Sequence, residues 1–329
     1  MGIGSGLGHS FGMVAESTYG TYVAPTRFVE GTAKLQKQKQ TYQGGGMAAG
    51  RMVQPGGRRY VTTKGASGTI EGAVYSKGMG LLLNGLLGGT VAPVQQGATA
   101  AYLQTHALAD PFGKFYTMQA AVPDLGGTAR PYTMLGAQVT SLELSCEKGG
   151  GLAASWSVVG RDLSEAQTLA APSYPTCNEF HFGQAALKLG TFSSEATVDG
   201  VRKVSVTIDR SRHDGGPYMG NQGLRSQGVI NDWAKISGTI EADYLDKTVF
   251  ADRFASDAPT ALVWEFVGPL IASTYFETFR VKIPMIFFDG DTPTVDGPDV
   301  VKGSFPFAGQ FDGTNAAVSV EYISTDLAL

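Results

Sequence analysis

Charge is scarce in this chain. Of 329 residues only 16% are Asp, Glu, Lys or Arg, and 25 basic against 29 acidic side chains leave a net charge of −4. That balance argues against a protein that grips nucleic acid through its phosphates, which needs a concentrated basic surface. Cysteine is scarcer still. Cys146 and Cys177 are the only two, too few for a secreted disulfide scaffold and without partners at zinc-ligand spacing. The most apolar window, MGLLLNGLLGG from Met79, is too short to span a bilayer. The opening MGIGSGLGHSFG has neither the basic start nor the continuous apolar stretch of a signal peptide. Gly6 stands where a myristoylation pattern needs Ser or Thr. The expectation is a soluble product of the cell interior, or one made there and carried elsewhere.

Catalytic patterning is also missing. His9, His106, His181 and His213 are scattered, with no pairing at metal-ligand spacing. No G-x-S-x-G elbow is present for a serine hydrolase. GIGSGLG at Gly2 has the glycines of a phosphate loop, but no strand precedes it, so a flexible arm is the expectation. Asp289, Asp291, Asp296 and Asp299 in FFDGDTPTVDGPD could supply oxygen ligands to calcium. They lack the spacing of an EF-hand, and Asp-Gly and Gly-Pro pairs are ordinary turn chemistry. The sequence therefore points to no catalytic residue, no cofactor and no metal.

What is abundant is glycine, at 45 residues, with 43% apolar residues and recurrent Thr, Ser and Val. This mix reads as many short strands joined by glycine turns, over a chain long enough to bury a core. Leu142, Leu144 and Cys146, then Leu152, Ala154, Trp156 and Val158, alternate on either side of a GGG turn and predict a hairpin over 137–160. ALVWEFVG, YFETFRVKIPMIFF and AAVSVEYIS read as further strands.

The pentapeptide SGTIE occurs twice, at Ser67–Glu71 and Ser237–Glu241, 170 residues apart. The same shift places Gly45, Gly46 and Gly50 on Gly215, Gly216 and Gly220. The order of elements repeats as well. A strand (TAKLQKQKQTY from Thr32; RKVSVTIDRSR from Arg202) leads to a glycine-rich loop, Gln43 to Arg58 or Asp214 to Gly228. An SGTIE strand follows, then a helix: SKGMGLLLNGLL, with Met79, Leu82, Leu83, Leu86 and Leu87 on one face, or LDKTVFADRFA, with Val249, Phe250 and Phe254. An internal duplication is the reading, as such repeats are weighed before any other fold assignment. Ser67, Thr69 and Glu71 become counterparts of Ser237, Thr239 and Glu241. The expected division is an arm at 1–26, a first domain at 27–165, a linker at 166–177 and a second domain at 178–329. A single large sandwich with two similar strand endings is the alternative.

KLQKQKQTYQ is polar on both faces: Lys37 and Lys39 lie with Leu35, while Lys34, Gln36, Gln38 and Gln40 lie opposite. It reads either as a solvated edge strand blunted by lysines or as a strand facing a wide aqueous bore.

In AESTYGTYVAPTRFVEGTAKL, residues Glu16, Thr18, Tyr19, Gly20 and Thr21, then Pro25, Thr26, Arg27 and Phe28, resemble the opening of major tail tube proteins of long-tailed bacteriophages. The likeness covers residues 11 to 90, and beyond them only a β-rich pattern. A single tube domain is commonly about half this length, a departure that the duplication explains. The resemblance implies a mainly β protein of two tandem tail-tube β-sandwich domains, each with a short flanking helix. It implies that they contribute strands to an oligomeric β-barrel lining a channel, six domains per ring and so three chains, with a ring of six chains as the alternative. It also implies self-assembly, contacts with tail terminator, distal tail and tape measure proteins, passage of genomic DNA without specific binding, no membrane, and a place in the virion after assembly in host cytoplasm. Met47, Met52 and Val53, with Tyr218, Met219 and Leu224, are the candidate contacts between stacked rings. Alternatives are the inner tube of a contractile or tail-like injection device, or a β-sandwich capsid, decoration or sugar-binding protein.

Overall fold

The computed structural model describes residues 5–47, 50–213, 215–290, 297–298 and 301–329. The chain forms β1 (Ser10–Ala15), β2 (Arg27–Phe28), β3 (Thr32–Gln43), β4 (Arg59–Ala73), helix α1 (Gly80–Leu87), β5 (Gly88–Gln95), β6 (Tyr102–Leu108), β7 (Tyr116–Pro123), β8 (Ala129–Glu147), β9 (Ala153–Gly160) and β10 (Asp162–Ser164). It continues as β11 (Ala185–Thr191), β12 (Ser194–Thr197), β13 (Val201–Asp209), β14 (Lys235–Asp243), α2 (Ala251–Ala255), β15 (Thr260–Ala272), β16 (Tyr275–Phe288), β17 (Lys302–Gly309) and β18 (Ser319–Ser324). All strand ladders are antiparallel.

The hydrogen bonds sort these strands into two layers with one order written twice. In the inner layer β3-β4-β9-β8 is followed by β13-β14-β17-β16. In the outer layer β1-β7-β8-β10 is matched by β11-β15-β16-β18. β8 and β16 run through both layers, so each acts as the corner strand of its half. Thr69 lies on β4 and Thr239 on β14, each the second strand in its run of four.

Alternation decides what is inside. Leu142, Leu144, Cys146, Leu152, Ala154, Trp156 and Val158 are all buried, as are Val204, Val206, Ile208, Ile236 and Ile240 of the second half. These residues belong to one core cluster that runs through both halves. Around Trp264 the packing is aromatic, with Phe266, Phe180, Phe279 and Tyr322 meeting edge-on or tilted. On the far face of the outer layer an ionic row crosses four strands: Lys188 to Glu265, Arg280 to both Glu265 and Glu321, and Lys282 to Glu321. Burial alone would raise the Glu265 carboxyl, but Lys188 and Arg280 hold it below the ordinary carboxylate value.

Three expectations need adjusting. Residues 10–15 are not part of a free arm. Phe11 and Met13 alternate with Gly12, pair along β7 and are buried. The stretch read as a linker lies against the first half, since Gln119 donates to Thr168 O and accepts from the Ala170 N–H. The second helix is only five residues long because Asp246, Thr248 and Val249 before it are poor helix formers; Phe250 still anchors it by stacking on Phe305 at 4.2 Å. By contrast α1, apolar on nearly every side, is buried along its length.

The halves are tied at several places, three of them through the strands and helix already described. β8 pairs with β13 from Ser141–Asp209 to Glu147–Lys203. The β5–β6 hairpin, extra to the first half, adds onto β18 of the second. Arg210 donates to the carbonyls of Leu86, Leu87 and Ala109, and Arg212 to those of Gly85 and Val139. Two second-half cations therefore satisfy the carbonyls left open at the end of α1.

His106, on β6, is fully buried, with Nδ1 against Thr90 Oγ1 at 2.9 Å. Burial pushes it down to about 4 from an ordinary value of 6.5, so the fold keeps neutral a ring that the unfolded chain would protonate. Its stabilising contribution is complete above about pH 6.5 and is lost as pH falls toward 4, by up to about 3 kcal/mol. Urea unfolding across that window is expected to show this slope in the natural protein and to lose it in His106→Gln. The carboxylates of the ionic row weaken only at lower pH.

Candidate functional site

Partners in an antiparallel ladder share a face, so the outward side of the inner layer can be followed strand by strand. Thr32, Lys34, Gln36 and Gln38 of β3 oppose Glu71, Thr69, Ser67 and Gly65 of β4. Ser155, Ser157 and Val159 of β9 follow, then Ser141, Glu143 and Ser145 of β8. Across the joint come Lys203, Ser205 and Thr207 of β13, then Glu241, Thr239 and Ser237 of β14. These positions hold no aromatic ring, histidine, cysteine or arginine. They are short hydroxyls and amides with sparse, mixed charge.

That charge is locally balanced. Lys34 Nζ lies 2.9 Å from Glu71, and Lys203 Nζ lies 3.5 Å from Glu241, so each SGTIE glutamate meets a lysine of the preceding strand. Gln38 Nε2 donates to Ser67 Oγ at 2.8 Å. Over these six strands the followed positions offer no ring for base stacking and no cationic row for phosphates; the face continues past them to the exposed Tyr42–Tyr60 pair at one end and to Phe287 of β16 at the other. The reading of the polar strand as a solvated edge matches β3, which carries this face and is the edge of the inner layer. Among the described residues no strand pairs with its outer side, where the Ala33 N–H donates to His9 Nε2.

The glycine of each SGTIE is dictated by close packing. A Cβ on Gly68 would come within 2.6 Å of Lys34 O. On Gly238 it would meet Ser205 O at 2.2 Å and the Phe307 ring at 2.4 Å. Ile70 and Ile240 point into the core, while Ser67, Thr69, Glu71 and Ser237, Thr239, Glu241 turn to the polar face.

Of the loop candidates, Met47, Met52, Val53, Tyr218 and Met219 are exposed. Leu224 differs: it is half-buried, bridged to Lys64 of β4. The histidines serve local structure. His9 contacts Ala121 O, His181 caps a turn and His213 accepts from the Gly215 N–H. Asp289 is exposed, and Asp291, Asp296 and Asp299 lie outside the described residues. Among the described residues no group of three or more His, Cys, Asp or Glu could hold a metal, and no helix is long and apolar enough to cross a membrane. Sequence reasoning overlooked Ser141, Glu143, Ser155, Ser157, Ser205 and Thr207 as a surface. The signal was present as the polar half of the same alternation whose apolar half had predicted the core.

The fold is a two-layer antiparallel sandwich with a polar inner sheet whose β3 edge is unpaired among the described residues, an edge open to lateral sheet extension. A family model described as phage tail tube protein matches residues 6–309, and the chain belongs to that family. It is a structural component of the phage tail, and membership implies self-assembly into the tube. No curated protein matches the sequence.

Gly238→Ala is expected to lower stability by roughly 2 kcal/mol or more through overpacking, and Gly68→Ala to destabilise as well. Gly45, with open space around its Cβ position, supplies the neutral control. Denaturant midpoints of the three variants check this order.

Proposed function

We propose that three copies of this chain form a ring of six quasi-equivalent sectors, and that rings stack into the hollow tail tube through which DNA leaves the virion. The observation that carries this reading is the repeated inner-layer order, eight strands per chain joined across β8 and β13. Three chains supply about twenty-four strands, which at about 4.8 Å spacing and a barrel tilt give a circle roughly 45 Å across. Closure also removes the open edge at β3.

The polar face lines the bore. Its hydroxyls and amides stay hydrated, and its balanced Lys–Glu pairs leave no continuous cationic track to retain a sliding duplex. The two domains are the two repeats of the sheet order, with the boundary between β10 and β11. Tail terminator, distal tail and tape measure proteins are the partners expected at the ends and inside of the tube, and assembly takes place in the host cytoplasm.

Negative-stain microscopy of the purified protein, concentrated at neutral pH, tests this function. Hollow filaments of uniform width are the expected result. A protein that stays monomeric at all concentrations, or forms solid aggregates alone, contradicts it.

A further inference from the structure

The β3–β4 hairpin outruns the sheet that carries it. β9 pairs with β4 only from Ala66 to Ala73, whereas β3 follows β4 as far as Gln43–Arg59. The free part is an arm of one-sided charge: from Gly31 to Ile70 the chain has seven basic side chains and no acidic one. Lys34 and Lys37 find Glu71 and Asp162. Lys39 and Lys64 oppose each other across the ladder, and neither is in an ion pair among the described residues, an arrangement that costs stability when left alone. One flank of the arm is already taken. The segment after β13 folds onto its β4 side, where Lys64 N–H donates to Gly223 O (2.6 Å) and Arg225 Nη2 to Gln38 Oε1 (2.9 Å). On the β3 side no strand is paired among the described residues.

The second half is finished differently at the same end of the sheet. Four antiparallel steps separate β3 from β13, so both point the same way. β14 starts at that end, with Lys235 opposite Asp209, and β17 finishes there, with Gly309 opposite Ile236. Trp233, just before β14, is 88% exposed, and Phe311, just after β17, is 64% exposed. The other two tryptophans, Trp156 and Trp264, lie in the core. The strand ends beside these rings carry Asp209, Asp232 and Asp312 and a single lysine, Lys235, 3.9 Å from Asp232. Asp312 accepts only from neutral groups of its own turn, Asn315 and the Thr314 N–H, so its charge stays uncancelled. Arg210 and Arg212, which follow Asp209, are turned inward onto carbonyls of the first half.

We propose that Trp233 and Phe311 of one copy pack against the open β3 side of the arm of the next copy in the same ring, with Lys39 drawn to Asp232 and Asp312. The proposal rests on the ring reading, in which β16 and β17 of one copy come beside β3 of the next. An arm with unpaired lysines and an aromatic pair in an acidic setting are complementary in charge. An ammonium over the indole face adds to the attraction, and a tryptophan removed from water is among the strongest anchors an interface can have. The arm is then held on both flanks, by its own chain on one side and by its neighbour on the other. A head-to-tail contact of this kind closes into a ring, so a cross-link through it cannot run beyond the copies of one ring.

Trp233 supplies the readout, because the other two tryptophans are already shielded. Acrylamide quenching of its emission, with Trp233→Phe as the blank, is expected to fall at least about threefold from monomer to isolated ring as the indole leaves water. Lys39→Glu, at an exposed position, is expected to return the quenching toward the monomer value. Phe311→Cys with Thr41→Cys, in a Cys177→Ser background that leaves only the buried Cys146, is treated with a short bismaleimide. Covalent multimers that stop at the copy number of one ring are expected, and none from Phe311→Cys with Val94→Cys. Rings in which Trp233 stays quenchable, shielding that appears only when rings stack, shielding unchanged by Lys39→Glu, or multimers that are absent or run past one ring would overturn this contact and leave the ring standing. Failure of the unsubstituted protein to form rings would overturn both.

Discussion

The pairing of β8 with β13 is the constraint on which the rest of the molecule depends. β8 is one strand with two duties: its first part belongs to the outer layer beside β7 and β10, and its second part to the inner layer between β9 and β13. Because the ladder continues across that joint, the polar faces of the two halves form one surface and their apolar faces one core. A one-residue slip would turn Leu142, Leu144 and Cys146 outward, so the register is enforced by burial on one side. Arg210 and Arg212 reinforce the joint by closing the end of α1 from the other half.

Chemical blandness is the other organising property. Polar groups on the inner layer are mainly hydroxyls and amides with a few charges, several of them paired across neighbouring strands, as in Lys34–Glu71, Lys203–Glu241 and Gln38–Ser67. The strongly interacting charges, from Lys188 through Arg280 to Lys282, lie on the far side of the outer layer, where they brace four strands without touching the polar face. In the tube proposed above, a polar face kept apart from those charges holds no cationic row to bind phosphates, which such rows do strongly and nearly without regard to sequence.

Much of this was legible in the residues. Strict alternation revealed the β8–β9 hairpin and β16, where burial on one face leaves little freedom. The two SGTIE segments fall on β4 and β14, each second in its run of four inner-layer strands, and packing at Gly68 and Gly238 supplies the physical reason for that glycine. Less was visible where tertiary contacts outweigh local pattern. β1 is short and glycine-containing, and only its ladder with β7 reveals Phe11 and Met13 as core. The β5–β6 hairpin carries mixed polarity, and the partner on the second side of β6 is β18, more than two hundred residues away. That the segment after β13 packs on the first half was invisible in its glycine-rich sequence; the structure shows it in the bonds from Lys64 N–H to Gly223 O, from Arg225 to Gln38 Oε1 and from Tyr19 Oη to Ser226 O.

The central claim is that one chain supplies two sectors of one ring. Native mass spectrometry of isolated rings, before they stack, tests it most directly. The account predicts a mass three times the chain's 34.5 kDa, whereas a ring of six chains would contradict it.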